Sequence, residues 1–196
     1  LVHASGSGAI QPGSWSWERK ENRLYIELED RSKPDAHRIE AAVRDGIRVV
    51  ANGGEKSYLV IDGLRIERTS GYGIFVYSSD RGGRGPEGIV IRNNLVTQTG
   101  TGRIDDHSYF NAIHYSQARE METAPVFERN TIAYSGNHGN AINCQNADGA
   151  RIVGNDASHF NHHGFDMKHC AADLVDGRAV HDAGESHCTY QEYGTQ

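Results

Sequence analysis

Apolar residues are scarce in this chain, since hydrophobic types make up 37% of its 196 residues, below the usual share for a globular domain. No stretch approaches the roughly 18 to 20 consecutive apolar residues that a membrane-spanning helix needs. The first residues, LVHASGSGAIQPG, lack the basic flank and apolar run of a secretion signal. Glycine is abundant instead, at 23 residues. This composition predicts one moderate domain, or two small ones, with a narrow core and many turns, and argues against a helical bundle.

The chain also lacks an excess of positive charge and an even number of cysteines. Lys and Arg number 20 against 26 Asp and Glu, for a net charge of −6. They are scattered singly, so the basic face of a nucleic-acid-binding protein is missing. Three cysteines (Cys144, Cys170 and Cys188) cannot all pair with one another, and their spacing matches no CxxC zinc pattern. Nucleic acid is therefore not an expected partner, and the cysteines leave the redox state undetermined.

The chain does contain an internal repeat, in which five short runs rich in β-forming residues are each followed by a second short run. The first runs are SYLVIDGLRI, EGIVIRNNLV, PVFERNTIAY, GARIVGNDAS and ADLVDGRAV, and the second are GYGIFVYS, NAIHYSQ, NAINCQN, HGFDMKH and HCTYQEY. The second runs align at Ile113, Ile142 and Phe165, which is a shorter period than that of helix–turn–helix repeats. Apolar and polar residues alternate with period two within the runs, as in half-buried strands.

Two or three short strands per turn, stacked turn upon turn, make a parallel β-solenoid. The recurring pattern G-I-x-I-x-x-N-x-I followed by G-I-x-I resembles the right-handed parallel β-helix repeat of the pectate-lyase-like superfamily, over about residues 57 to 193. The resemblance implies an all-β fold, a right-handed parallel β-helix whose coils span residues 57–196. Further coils precede this segment in such relatives, so the chain resembles a truncated version of a longer design.

Residues 1–56 are expected to form a lead-in to the coils. The runs SWSW and LYIEL flank the polar turn ERKENR, as the two strands of an N-terminal β-hairpin would. Solenoids need covered ends to stay soluble, and no capping segment is visible after the last coil. We therefore expect a homo-oligomer in which a second chain covers an open end or edge.

One asparagine recurs at the same turn of three coils. Asn94, Asn130 and Asn155 align, and Arg178 takes the equivalent position in the following coil. Equivalent residues of stacked coils lie about 4.8 Å apart, so the three amides are expected to form a structural ladder. The alternative is that asparagine stands there only because it favours turns.

The second runs predict a polar patch on the outside of the solenoid. In HGFDMKH, the alternation of a β-strand predicts that Phe165 and Met167 point into the core and that Asp166 and Lys168 point outward. The same register in the earlier coils gives two outward columns, His114–Asn143–Asp166 and Ser116–Gln145–Lys168. A histidine, a carboxylate and an ammonium group within so short a span can perform acid–base chemistry. The alternative is a solvated face or a cross-strand ion pair.

The resemblance implies a function for this patch, because β-helix polysaccharide lyases, hydrolases and epimerases carry their sites on such a sheet face. It implies a lyase or epimerase acting on an acidic polysaccharide, with Asp166, Lys168 and His114 as candidate catalytic residues and Lys168 or His114 as the base. Asn143 and Gln145 are expected to contact the substrate. Asp166 and Asn143 are expected to hold calcium through oxygen ligands.

A narrower resemblance lies within the same strand. The segment GFDMKH is similar to the Gly-Phe-Asp-Pro-His-Glu segment of mannuronan C5-epimerases, which act on alginate. Gly164, Phe165 and Asp166 match that pattern, whereas Met-Lys-His replaces Pro-His-Glu, so the catalytic histidine of the pattern is missing here.

An insertion and a group of histidines add two further hypotheses. The insertion TGTGRIDDHSYFN at residues 99–111 predicts that Asp105 and His107 overhang the column of His114 and bind substrate; the alternative is a flexible loop. Histidines crowd the last three coils, where imidazoles can hold a transition metal. The absence of an HExxH pair favours structural roles for them.

Two classes of function stay open at this point. One is a carbohydrate-active enzyme, and the other is a non-catalytic β-helix module that binds glycans or a partner chain. Fold alone does not decide between them. Both share the expectation of a polysaccharide or glycan partner, no membrane span and an extracellular or periplasmic location.

Overall fold

The computed structural model divides the chain into two compact units, Leu1–Ala41 and Ala42–Gln196. It describes residues 2–3, 10–18, 20–21, 23–39, 42, 44–51, 56–78, 86–100, 110–117, 123–136, 139–147, 149–160, 162–168, 172–180 and 190–193. Residues 2, 3, 17, 168, 172–180 and 190–193 are described by their backbone alone. Apart from one 3₁₀ turn at Pro34–Ala36, the described elements are β-strands. None of the described segments is a helix of the length and hydrophobicity that a membrane crossing requires.

The first unit contains the predicted β-hairpin. Strands β2 (Ser14–Glu18) and β3 (Arg23–Glu27) pair antiparallel, and β1 (Val2–His3) pairs parallel with β2. The hairpin prediction is therefore confirmed. The segment Ile47–Val50, which was predicted from the sequence to belong to the lead-in, lies in the second unit and pairs with Ile74–Tyr77.

The second unit is built from short parallel strands. In chain order they are β4 (Ile47–Val50), β5 (Val60–Asp62), β6 (Arg65–Glu67), β7 (Ile74–Tyr77), β8 (Val90–Arg92), β9 (Leu95–Thr99), β10 (Ile113–Ser116), β11 (Val126–Glu128), β12 (Thr131–Ser135), β13 (Ile142–Gln145), β14 (Ala150–Ser158), β15 (Phe165–Lys168), β16 (Ala172–Val180) and β17 (Tyr190–Tyr193). The strands recur in layers: β4–β6 form the first layer, β7–β9 the second and β10–β12 the third. The prediction of an all-β chain with parallel sheets is confirmed.

Each layer contributes to two sheets. The six-stranded sheet has the order β4-β7-β10-β13-β15-β17, with every neighbouring pair parallel. The eight-stranded sheet has the order β5-β8-β11-β14-β12-β9-β6, with β16 beside β14. This second sheet curls, because β14 pairs with β11 through Arg151–Val153 and with β12 through Asp156–Ser158.

The hydrophobic core lies between these two sheets. In the six-stranded sheet, the first and third residues of β7, β10, β13 and β15 are buried in this core, among them Phe165 and Met167 at 3% and 0% exposure. Ile91, Ile132 and Ile152 are fully buried opposite them in the eight-stranded sheet. Fully burying side chains of this size contributes about 1.5–3 kcal/mol each. The period-two pattern therefore assigned the inward positions correctly.

The structure stacks the three repeated asparagines at the bend of the eight-stranded sheet. Asn94 donates from its backbone N and its Nδ2 to Asn130 Oδ1 (3.1 and 3.0 Å). Asn130 makes the same two bonds to Asn155 Oδ1 (3.0 and 2.9 Å). Each Nδ2 also donates to a backbone carbonyl of the preceding layer, for example Asn130 to Ile91 O at 2.9 Å. This geometry is the ladder that the repeat predicts.

The next layer departs from the expected alignment. The register pairs Asn155 with Gly177 and Asp156 with Arg178, so Arg178 does not occupy the asparagine position. A register irregularity between Val153 and Asn155 moves the pairing by one residue. Equal spacing in sequence cannot reveal such a shift, because an added or skipped residue leaves the apolar pattern on either side intact.

Candidate functional site

The outer face of the six-stranded sheet, the face turned away from the core, carries the two predicted columns. The register aligns His114, Asn143 and Asp166 across β10, β13 and β15. It also aligns Ser116, Gln145 and Lys168, where Lys168 is described by its backbone only. Toward the first layer, the first column continues through Phe75 and Arg48. Asp105 and His107, the other expected substrate-binding residues, lie outside the described residues.

The expected solvent exposure is wrong for the column His114–Asn143–Asp166. Asp166 has 0% of its surface exposed, Asn143 2% and His114 9%. Period two tells which side of a sheet a residue occupies, but it does not tell what covers that side. Here Asn111 and Asn140, which precede β10 and β13, form hydrogen bonds with His114 and Asp166, so this column belongs to a buried polar network instead of a solvated skin.

Asp166 lies at the centre of this network. Its Oδ2 accepts hydrogen bonds from Asn140 Nδ2 at 2.7 Å and from Asn143 Nδ2 at 2.6 Å. Gln145 Nε2 donates in turn to Asn143 Oδ1 (3.1 Å), and Ser116 Oγ donates to Gln145 Oε1 (3.3 Å). Buried carboxylates need such partners, because desolvation without them costs several kcal/mol. The amides therefore hold Asp166 in place.

A second series of stacked side chains stands two residues before the strands of this sheet. Asn111 Oδ1 accepts from Asn140 N (2.9 Å), and Asn140 Oδ1 accepts from His163 N (3.0 Å) and His162 Nδ1 (3.1 Å). Asn111 Nδ2 lies 3.0 Å from His114 Nδ1, which must accept because the amide nitrogen only donates. This series was not predicted from the sequence, although the repeated tripeptide Asn-Ala-Ile at 111–113 and 140–142 was a usable signal.

Planar side chains occupy the outer face of the first three layers. The Arg48 guanidinium lies 4.8 Å from the centroid of the Phe75 ring, and His114 stacks on Phe75 at 5.2 Å and 9°. Tyr72 and Tyr77 flank Phe75 at 4.5 and 5.5 Å. We call these five residues, Arg48, Tyr72, Phe75, Tyr77 and His114, the stacked row. Arg48 is the most exposed of them, and the two tyrosines are half-buried.

Asp45 anchors the start of the stacked row. Its Oδ1 accepts from Tyr72 N (2.9 Å), and its Oδ2 pairs with Arg48 Nη1 (3.0 Å). A Cβ added at Gly71 would approach Asp45 Oδ1 to 2.3 Å, so only glycine leaves room for this carboxylate. The arginine is thus held over the Phe75 ring from one side while its other side faces solvent.

The hydroxyl of Tyr72 is expected to titrate late. Burial, and next the nearby Asp45 carboxylate, raise the pKa of Tyr72 above the ordinary 10.0, while Arg48 opposes them. Ultraviolet titration of the wild type minus Tyr72→Phe should show this raised midpoint, and Asp45→Asn should lower it. Because the folded-state pKa lies above the unfolded one, folding stability should fall as the pH rises through the alkaline range. A Tyr72 midpoint at or below 10.0 would contradict the packing described above.

The residues expected to hold calcium do not fit that ion in the observed arrangement. Asn143 turns its amide nitrogen, not its oxygen, toward Asp166, and its Oδ1 accepts from Gln145. Calcium needs several converging oxygen atoms, which this pair does not offer. The described residues also include no group of three or more His, Cys, Asp or Glu side chains arranged to hold a metal.

Comparison with known proteins adds no assignment. No family model, no curated protein and no solved structure matches this chain. The function must therefore be argued from the site itself.

Proposed function

We propose that this chain is a right-handed parallel β-helix protein whose outer six-stranded face binds an acidic polysaccharide. The observation that supports it is the stacked row, in which a partly exposed arginine and two half-buried tyrosines surround Phe75 on one sheet face. The repeating layers and the resemblance to β-helix carbohydrate proteins support the fold assignment.

The chemistry of the stacked row fits a sugar chain that carries carboxylates. Aromatic rings present flat apolar surface with a polar tip and are typical of binding sites. Arg48 adds a fixed positive charge and five donors in a planar fork, the geometry that matches a carboxylate. Its pairing with Asp45 orients it without removing it from solvent, since 59% of the side chain is exposed. An extended polymer crossing the strands would contact Arg48, Tyr72 and Tyr77 together.

Binding is favoured over cleavage by the state of the predicted catalytic residues. Asp166 has no exposed surface, and its Oδ2 already accepts two amide hydrogen bonds. His114 is separated from Asp166 by the intervening strand β13. A base must reach within hydrogen-bond distance of the proton that it removes, which a fully covered side chain does not do. Lyase or epimerase activity through Asp166, Lys168 and His114 stays a prediction.

Calorimetric titration with alginate and pectate oligomers tests the proposal, with neutral dextran as the negative control. Arg48→Ala and Tyr77→Ala should each weaken binding of the acidic oligomers by about tenfold or more, the usual effect of truncating a central contact. Arg129→Ala is the matched control for Arg48, because its side chain is 56% exposed against 59% and it also pairs with one carboxylate. Tyr134→Ala, which removes an exposed aromatic of the eight-stranded sheet, is the control for Tyr77.

These control variants test whether binding is confined to the outer face of the six-stranded sheet. The proposed site would be overturned if each variant and its control lost the same affinity, that is, Arg48→Ala with Arg129→Ala and Tyr77→Ala with Tyr134→Ala. Equal binding of dextran and the acidic oligomers would overturn it too. The same samples should be read for unsaturated uronate absorbance. Product formation that depends on Lys168 would replace binding with lyase activity as the function.

A further inference from the structure

The first layer leaves the edges of both sheets open on one side. Within the described part of the chain, β4 pairs only with β7, β5 only with β8, and β6 only with β9. Exposed apolar side chains of the second unit also concentrate in this layer. Among the described residues of this unit, and apart from Tyr134, they are Tyr58, Leu59, Val60 and Leu64, at 68%, 39%, 57% and 44% exposure. Open strand edges with apolar surface are sites of pairing with another chain.

The backbone N–H and C=O groups of strand β6 that do not face β9 can be identified from its hydrogen bonds. Leu95 N donates to Leu64 O (2.8 Å) and Arg68 N donates to Thr97 O (3.2 Å) across the β6–β9 pair. Backbone groups of a strand alternate between its two sides. The N–H and C=O groups of Arg65 and Glu67 therefore point away from β9, toward the open edge.

The side chains of β6 are self-complementary in charge. Arg65 and Glu67 flank Ile66 on the same face and now pair with each other, Nη2 to Oε2, at 2.7 Å with 66% and 32% of their side chains exposed. If a second copy runs antiparallel about Ile66, each Arg65 lies directly opposite the partner's Glu67. Those are also the positions whose backbone groups point outward, so each pair exchanges two N–H···O bonds. Register and charge agree on the same two-fold arrangement.

We propose that the open edge of β6 is the interface of a homodimer, formed by antiparallel pairing of β6 with the β6 strand of a second copy. The arrangement is isologous, so every contact occurs twice and the interface closes on itself. It covers an edge that would otherwise template open-ended association. The proposal does not depend on polysaccharide binding, because it concerns strand edges of the eight-stranded sheet and not the outer face of the six-stranded one.

Charge reversal tests the pairing directly. Arg65→Glu places two glutamates opposite each other at both contacts of the dimer, and Glu67→Arg places two arginines there. Like charges directly opposite on paired strands are destabilising, and with two such contacts each variant should dimerise about a hundredfold more weakly. Sedimentation velocity over a dilution series measures this. Arg92→Glu is the control, because Arg92 also pairs with an exposed carboxylate, at 2.8 Å, but lies on β8, which is flanked on both sides.

Mixing the two variants gives the decisive result. One chain then carries two glutamates and the other two arginines, so every intermolecular contact is again of opposite sign. A heterodimer formed from two species that are each monomeric alone supports the interface, and the ion pair within one chain cannot explain it. Three outcomes overturn the proposal: a monomeric wild type, a wild-type dimer insensitive to both reversals, or no association on mixing.

Discussion

Asn130→Ala is expected to lower the free energy of unfolding by about 3–5 kcal/mol, because each buried group left without a partner costs about 1–3 kcal/mol. The Asn130 side chain accepts from both the backbone N and the Nδ2 of Asn94, and it donates to Ile91 O and Asn155 Oδ1. Alanine removes all of these contacts at a position with 1% exposure. Water cannot replace them there, so the loss should exceed that of an ordinary surface substitution.

Urea unfolding followed by circular dichroism measures the effect. Thr131→Ala is the control, since Thr131 is the next residue in the chain and is exposed. It should change stability by no more than about 0.5 kcal/mol. If both variants unfold at the same urea concentration, the asparagines occupy the bend only because they favour turns, and the ladder does not stabilise the stack.

The ladder could be predicted because its evidence is periodic. Successive layers repeat the same bend, so Asn94 and Asn130 meet although they are 36 residues apart in the chain. The alternation of Ile142 with Asn143 likewise determines which side of β13 each residue occupies. What failed was alignment past Asn155, where a local irregularity moved Arg178 out of the series. A sequence repeat predicts register only while the paired strands themselves contain no added or skipped residue, and such an irregularity lies between Val153 and Asn155.

Burial on the outer face could not be predicted in the same way. Alternation marks Asp166 and His114 as pointing away from the core, but their exposure depends on residues that precede the strands. Asn140 and Asn111 provide part of that cover, and their role depends on hydrogen bonds between layers. Arg48 was missed for another reason. Its strand, β4, was assigned to the lead-in, although it pairs with β7 and belongs to the same sheet.

Asp166→Ala is expected to cost about 3–5 kcal/mol of folding stability, since it leaves the amide groups of Asn140 and Asn143 without their shared acceptor inside the network. Asp166→Asn keeps one oxygen that can accept both bonds, loses the charge-assisted part of their strength and replaces the buried Oδ1 by an NH2 group. Its cost should be about 1–2 kcal/mol. Thermal unfolding of the two variants, with the exposed Asp156→Ala as control, measures the difference.

The same pair of variants decides whether Asp166 supports the face or contacts the ligand. A supporting role predicts that Asp166→Asn binds acidic oligomers as the wild type does, because Arg48, Tyr72 and Tyr77 stay in place. A ligand contact predicts the opposite, with binding or turnover lost in a protein that remains folded. That second result would indicate that the buried carboxylate becomes accessible when polysaccharide arrives. The amides of Asn140 and Asn143 would then position Asp166 for contact with the ligand, and loss of turnover, as distinct from loss of binding, would make Asp166 catalytic.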